Sequence, residues 1–138
     1  MSGEFFDTHF TVAEANALIP FLKEHFEKIH RKQAELVRQF PEIKEFLERK
    51  SSDFGFANSI EYIQKGNEIG KLIDRISRTG VLLKDLQKGL VDFPHVSEGK
   101  EIFLCWELGE KEVMFWHDIE GGYAGRQPLY SDREEEHG

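Results

Sequence analysis

The sequence predicts an α+β fold in which two long antiparallel helices pack on a roughly four-stranded antiparallel meander sheet. The first observation is the hydrophobic period, which changes from near 3.6 residues before Gly80 to near 2 residues after it. The second is the recurrence of glycine every nine or ten residues from Gly80 to Gly109, which is typical of turns between short strands. A chain of 138 residues fits one domain, with a helical half over about 11–78 and a sheet half over about 81–129.

The first helix is predicted to begin after Thr11, because Thr11 and Glu14 form the Thr-x-x-Glu pattern of a capping box. Pro20 lies inside the helical pattern, and we expect it to kink the helix without ending it. Pro41 is expected to break or bend the helix again, before a short helical piece through Lys50. Two series of seven-residue spacing form a coiled-coil-like seam along this helix: Ala15, Leu22, Ile29 and Leu36, and Ile19, Phe26, Gln33 and Phe40.

The second helix is predicted over residues 59–78, after a segment of loop composition. Asn58 and Glu61 offer a second cap of the same kind. The helix carries one apolar stripe, which is expected to pack against the first helix. This stripe consists of Tyr62, Ile69, Leu72, Ile73 and Ile76.

Apolar segments after Gly80 predict four strands, over residues 81–83, 90–93, 102–108 and 113–117. A two-residue turn at 109–110 would place Ile102 opposite His117. In this register one face carries Ile102, Leu104, Trp106, Val113, Phe115 and His117, and the other carries Phe103, Cys105, Glu107, Met114, Trp116 and Asp118.

Both faces of the predicted sheet are largely apolar, and the two helices can cover only one of them. The second face is expected to meet the N-terminal phenylalanines, residues 119–131, or a second copy of the chain. We therefore expect self-association, for which the helical seam is a further reason.

Composition excludes several kinds of partner and location. The 18 basic and 26 acidic side chains give a net charge of −8, which argues against general nucleic-acid binding. The single cysteine, Cys105, permits no internal disulfide, as is usual in a reducing compartment. The apolar run 17–22 is interrupted by Pro20, and neither a signal peptide nor a membrane span is predicted. We expect a cytoplasmic protein with residues 1–131 folded and residues 132–138 as an acidic tail.

Several strings, in order along the chain, resemble one protein family. They are Thr11-Val12-Ala13-Glu14-Ala15-Asn16-Ala17-Leu18-Ile19-Pro20, Lys84-Asp85, Gly89-Leu90-Val91-Asp92-Phe93-Pro94, Leu104-Cys105-Trp106, Phe115-Trp116-His117 and Ala124-Gly125-Arg126-Gln127-Pro128-Leu129. Over about residues 8–129 the chain resembles a bacterial family of small uncharacterised proteins, domain of unknown function 2203. The resemblance implies a single-domain bacterial cytoplasmic protein of unassigned function, and no functional residue is carried over from it.

Acidic and imidazole side chains concentrate in and beside the predicted sheet. A divalent ion such as Mg, Mn, Fe or Zn could take its ligands from this group, although the spacing matches no defined metal motif. The alternative is a set of turn-capping aspartates with a histidine satisfied at a strand end. The candidate metal ligands are Asp85, Asp92, Glu107 and His117, with Asp118 and Glu120 nearby.

The glycine-rich segment 121–128 combines backbone amides that could hold an anion with the guanidinium of Arg126. The alternative is that this segment folds over the exposed sheet face, with Arg126 paired to Asp85 or Asp92. Cys105 is expected to be a small buried residue rather than a nucleophile. The ligand-binding candidates are Asp92, His117, Arg126, Trp116 and Tyr123.

These observations favour a small binding or interaction module, because the sequence offers two apolar surfaces and no complete catalytic constellation. The alternative is a metal- or anion-dependent enzyme that acts on a small acidic substrate at the C-terminal sheet and the glycine-rich loop. In that enzyme Arg126 would hold the anion and His117 would act as acid or base. The sequence identifies no cofactor and leaves open whether the protein is an enzyme.

Overall fold

A computed structural model describes residues 6–41 and 59–129, with side chains of the second range described from residue 63 onward. The predicted helical piece through Lys50, the cap at Asn58 and the acidic tail lie outside these residues. The elements are α1 (Val12–Gln39), α2 (Ser59–Arg78), β1 (Leu82–Asp85), β2 (Leu90–Ser97), β3 (Lys100–Glu107), β4 (Phe115–His117) and β5 (Gln127–Pro128), with a short 3-10 helix over Tyr123–Gly125.

The boundaries of α1 follow from local sequence. The backbone amide of Glu14 donates to Thr11 Oγ1 at 3.0 Å, and the amide of Thr11 donates to Glu14 Oε1 at 2.9 Å, which confirms the predicted capping box. The helix continues through Pro20 and ends at Gln39, because Pro41 disfavours helical backbone at the residue before it. The first seven-residue series of the seam is buried throughout.

The two helices lie antiparallel, as predicted. Lys32, in the second half of α1, forms an ion pair of 3.0 Å with Glu68 of α2. The far end of α2 lies beside the segment that leads into α1, since a Cβ added at Gly80 would stand 2.9 Å from Thr8 Cγ2. In the described ranges, neither helix combines the length and hydropathy that crossing a bilayer requires.

The strands form one antiparallel sheet in the order β1-β2-β3-β4-β5, so the meander is confirmed and the predicted number of four strands is corrected to five. The additional strand, β5, pairs Gln127 with Trp116 and Pro128 with Phe115. Its two residues are too few to show a period of two, and its proline occupies the edge position where a missing N–H is tolerated.

The expected register between the third and fourth strands is wrong by one residue. His117 pairs with Phe103 rather than with Ile102, which moves every side chain of β4 to the opposite face relative to β3. The connection is longer than a two-residue turn, since β3 ends at Glu107 and β4 begins at Phe115. Within it, Asn16 Oδ1 of α1 accepts the backbone N–H of Val113 at 2.7 Å. Val113 is thereby held by the helix instead of by β3.

One face of the sheet meets the helices and the other carries polar groups. The core between sheet and helices includes Val91, Phe93, Leu104 and Trp106 from the strands and Leu22, Phe26, Ile29 and Ile76 from the helices. On the opposite face, Phe6 meets Phe103 edge to face with ring centroids 5.5 Å apart. Arg126 lies over Phe115, 4.0 Å from its ring centroid. The N-terminal and 119–129 segments therefore supply part of the cover for this face, two of the three sources that the sequence left open.

Candidate metal centre

Three side chains from three neighbouring strands meet on the polar face of the sheet. Asp92 of β2 pairs directly with Cys105 of β3, and His117 of β4 lies one pleat away on the same face. A carboxylate oxygen, the thiol sulfur and an imidazole nitrogen lie within 4.8 Å of one another. Asp92 and His117 are each 2% exposed and Cys105 is fully buried, so the cluster is shielded from solvent.

The hydrogen bonds of His117 fix its tautomer. Nδ1 lies 2.7 Å from the backbone carbonyl oxygen of Asp118, and because a carbonyl only accepts, Nδ1 carries a proton. Nε2 lies 3.0 Å from Asp92 Oδ1. In a neutral imidazole the Nε2 lone pair would then face a carboxylate lone pair, which is favourable only with a proton or a cation between them. A carbonyl bonded to the far ring nitrogen is also the usual support of a metal-ligating histidine.

The thiol of Cys105 is a poor nucleophile in the metal-free protein, because it is held in its protonated form. Burial raises the pKa of Cys105 to about 12, and this effect outweighs the positive charge of Arg126, which lowers that pKa. A metal ion would replace the thiol proton directly, since coordination deprotonates a thiol.

Arg126 lies beside this cluster but is held by other residues. Its Nη2 donates to both carboxylate oxygens of Glu110, at 2.9 and 2.7 Å, so the expected alternative partners Asp85 and Asp92 are wrong. Burial alone would lower the pKa of Arg126. The hydrogen bond to Glu110 and the charges of Cys105 and Glu110 have the larger combined effect, so the pKa of Arg126 is raised above its ordinary value. The guanidinium is therefore a fixed positive charge against the thiol.

The structure separates the other sequence candidates from this cluster. Asp85 accepts the backbone N–H of Lys88 at 3.0 Å, which is the turn-capping role. Glu107 accepts the Tyr123 hydroxyl at 3.0 Å. Trp116 packs against the core on the helix side of the sheet. Of the four predicted metal ligands, the structure brings together Asp92 and His117.

A second histidine–carboxylate pair lies at the edge of the same face. His9 Nε2 lies 2.7 Å from Glu101 Oε2, and the backbone amide of Phe6 donates to the same oxygen at 3.1 Å. Glu101 is buried, whereas the His9 side chain is 22% exposed. This pair shares the chemistry of Asp92 and His117 without a thiol nearby.

Cys105 was not among the ligands predicted from the sequence, because it was expected to be only a small buried residue. The assumed register also placed it on the face opposite His117. The even spacing within each strand was correct, but the offset between β3 and β4 differs by one residue from the assumed one. A register shifted by one residue would have brought Cys105 to the face of His117.

The chain was compared with known proteins. No curated protein and no solved structure matches it significantly. A family model described as "Uncharacterized conserved protein (DUF2203)" matches residues 8–129, a range that contains both helices and all five strands of the described structure. The resemblance seen in the sequence is confirmed over the same range, and the chain belongs to the domain of unknown function 2203 family.

Proposed function

We propose that this protein is a metal-binding module that holds one divalent transition-metal ion, with zinc as the preferred ion, between Asp92, Cys105 and His117. The observation that carries the proposal is the convergence of a carboxylate oxygen of Asp92, the sulfur of Cys105 and an imidazole nitrogen of His117 within 4.8 Å of one another. The second ring nitrogen of His117 is committed to a backbone carbonyl, which leaves Nε2 for the ion. The mixture of oxygen, nitrogen and sulfur ligands suits zinc, which accepts all three.

The sequence left open whether the protein is a binding module or an enzyme, and the number of protein ligands bears on this choice. Three protein ligands leave a fourth coordination position, which catalytic zinc sites give to water or substrate, but this cluster is shielded from solvent. Binding of a small acidic substrate by Arg126 is not favoured, since its guanidinium is already held by the carboxylate of Glu110. We therefore propose metal binding, rather than an enzymatic activity, as the function of this site. A free thiol as ligand needs a reducing environment, which fits the cytoplasm.

Metal titration of the purified full chain tests the proposal. We expect zinc to bind with one ion per chain, and cobalt to give a thiolate-to-metal charge-transfer band together with the strong visible bands of four-coordinate cobalt. Binding should release the Cys105 proton, which a pH indicator in weak buffer detects. A cobalt spectrum without the thiolate band, or no proton release, would overturn the assignment.

Substitutions with a matched control separate the site from general surface binding. Cys105→Ser and Asp92→Asn are each expected to weaken zinc binding by at least about ten-fold, because each removes a ligand. His9→Gln disrupts the comparable pair with Glu101 and should leave zinc affinity unchanged. Far-ultraviolet circular dichroism establishes that each variant is folded before titration. Equal affinity in the wild type and Cys105→Ser would contradict the proposal, and if that variant does not fold, the cobalt spectrum of the wild type decides.

A further inference from the structure

A groove between α1 and α2 concentrates positive charge on an otherwise acidic protein. It encloses about 460 Å³ and is lined by five basic and two acidic side chains, a local balance of +3, whereas the whole chain has a net charge of −8. The basic side chains are Lys28, Arg31, Lys32, Lys71 and Arg75. The groove lies on the helices, whereas the candidate metal centre lies on the sheet face turned away from them.

Two of the five cations of the groove are already paired with acidic side chains. Lys32 pairs with Glu68 at 3.0 Å, and Lys28 pairs with Glu24 at 3.2 Å. The hydrogen bond and charge of Lys32 lower the pKa of Glu68, with further contributions from the charges of neighbouring lysines, so Glu68 remains anionic inside a positive field. Arg31, Lys71 and Arg75 are exposed, and none of the three forms an ion pair with an acidic side chain of the described residues.

We propose that this groove binds a compact polyphosphate group, with Arg31 and Arg75 as the residues that hold its oxygens. The planar guanidinium donates two parallel hydrogen bonds to phosphate, which a lysine cannot do. The volume falls in the range of small-ligand sites. Nucleic acid fits the groove less well, since a long duplex must also approach the acidic remainder of the molecule.

Calorimetric titration of the full chain with inorganic triphosphate, without divalent cations, tests this site. The double variant Arg31→Gln/Arg75→Gln is expected to weaken binding by about ten-fold or more, since each removes a charged hydrogen-bond donor. The matched control is Arg38→Gln/Arg78→Gln, which removes one exposed arginine from each of the same two helices outside the groove. The control should change affinity by less than about three-fold.

Three results would overturn the proposal. They are the absence of triphosphate binding at millimolar concentration, equal weakening in both double variants, and tighter binding of a short DNA duplex than of triphosphate.

Comparison with a nucleoside triphosphate identifies the source of the group. Tighter binding than inorganic triphosphate assigns the groove to nucleotides, whereas equal or weaker binding assigns it to free polyphosphate, and both outcomes support the site. Thermal melting confirms that all variants are folded.

Discussion

At the residue scale, the candidate metal centre depends on one backbone atom. The carbonyl of Asp118 orients His117, and this contact arises because the chain leaves the sheet immediately after β4. Asp92 and His117 were both among the ligands predicted from the sequence, and they lie 3.0 Å apart in the structure. The predicted burial of Cys105 is confirmed. The sequence alone could not place the thiol beside the imidazole, because that proximity depends on strand register rather than on residue type.

Cys105 should be unreactive in the metal-free folded protein. Burial raises its pKa to about 12, so very little of the thiol is ionised at neutral pH, and the thiolate is the reactive form. Alkylation by iodoacetamide, followed by mass spectrometry, should be at least about a hundred-fold slower than in chain unfolded by guanidinium, where the pKa is ordinary. The native rate should rise with pH up to about the raised pKa, as more thiolate forms. Comparable rates in folded and unfolded chain would contradict the burial of the thiol.

At the scale of elements, local sequence determines where helices begin and distant contacts determine how strands align. The Thr11 cap and the end of α2 at Arg78 were predictable because capping and period involve neighbouring residues. Strand β2 continues past its predicted end through Pro94, which is tolerated because β1 pairs only as far as Asp92. The missed strand β5 and the shifted register both depend on contacts that span many residues.

The turn between β1 and β2 gives a test of close packing. Gly89 has a φ of +65°, and a Cβ there would stand 2.7 Å from Leu108 Cβ. Gly89→Ala should lower the free energy of unfolding by roughly 2–4 kcal/mol, through backbone strain together with overpacking. Gly99→Ala is the matched control. Gly99 has a φ of +80°, but no atom lies within 4 Å of a Cβ added there, so we expect the free energy of unfolding to fall by about 1 kcal/mol. Guanidinium unfolding measures both, and equal losses would show that the contact with Leu108 is unimportant.

At the scale of the whole molecule, the prediction of self-association now concerns a smaller surface. Phe6 and Arg126 lie over part of the polar sheet face, within the described residues. Large hydrophobic side chains exposed around β4 are Met114, Ile119 and Tyr123. We expect copies of the chain to associate through this region.

Light scattering over a range of concentrations should report more than one chain per particle. Met114→Glu should shift the population toward monomer without changing the melting temperature, because Met114 is 37% exposed. Ile63→Glu is the matched control, since Ile63 is also an exposed large hydrophobic residue but lies on α2 rather than around β4. A wild-type chain that is monomeric at every concentration would contradict the prediction.

The hydrogen bond from Val113 to Asn16 also affects how relatives of this chain should be compared. Asn16 forms no hydrogen bond with the three candidate ligands, yet from 97 residues away in sequence it holds Val113 in the segment that leads into β4. A relative that retained an aspartate, a cysteine and a histidine at the matching positions, but lacked the amide at position 16, would retain the ligands without the contact that holds this segment. Shared ligand identities are therefore insufficient grounds for transferring this centre from one family member to another, and the helical residue must be compared with them.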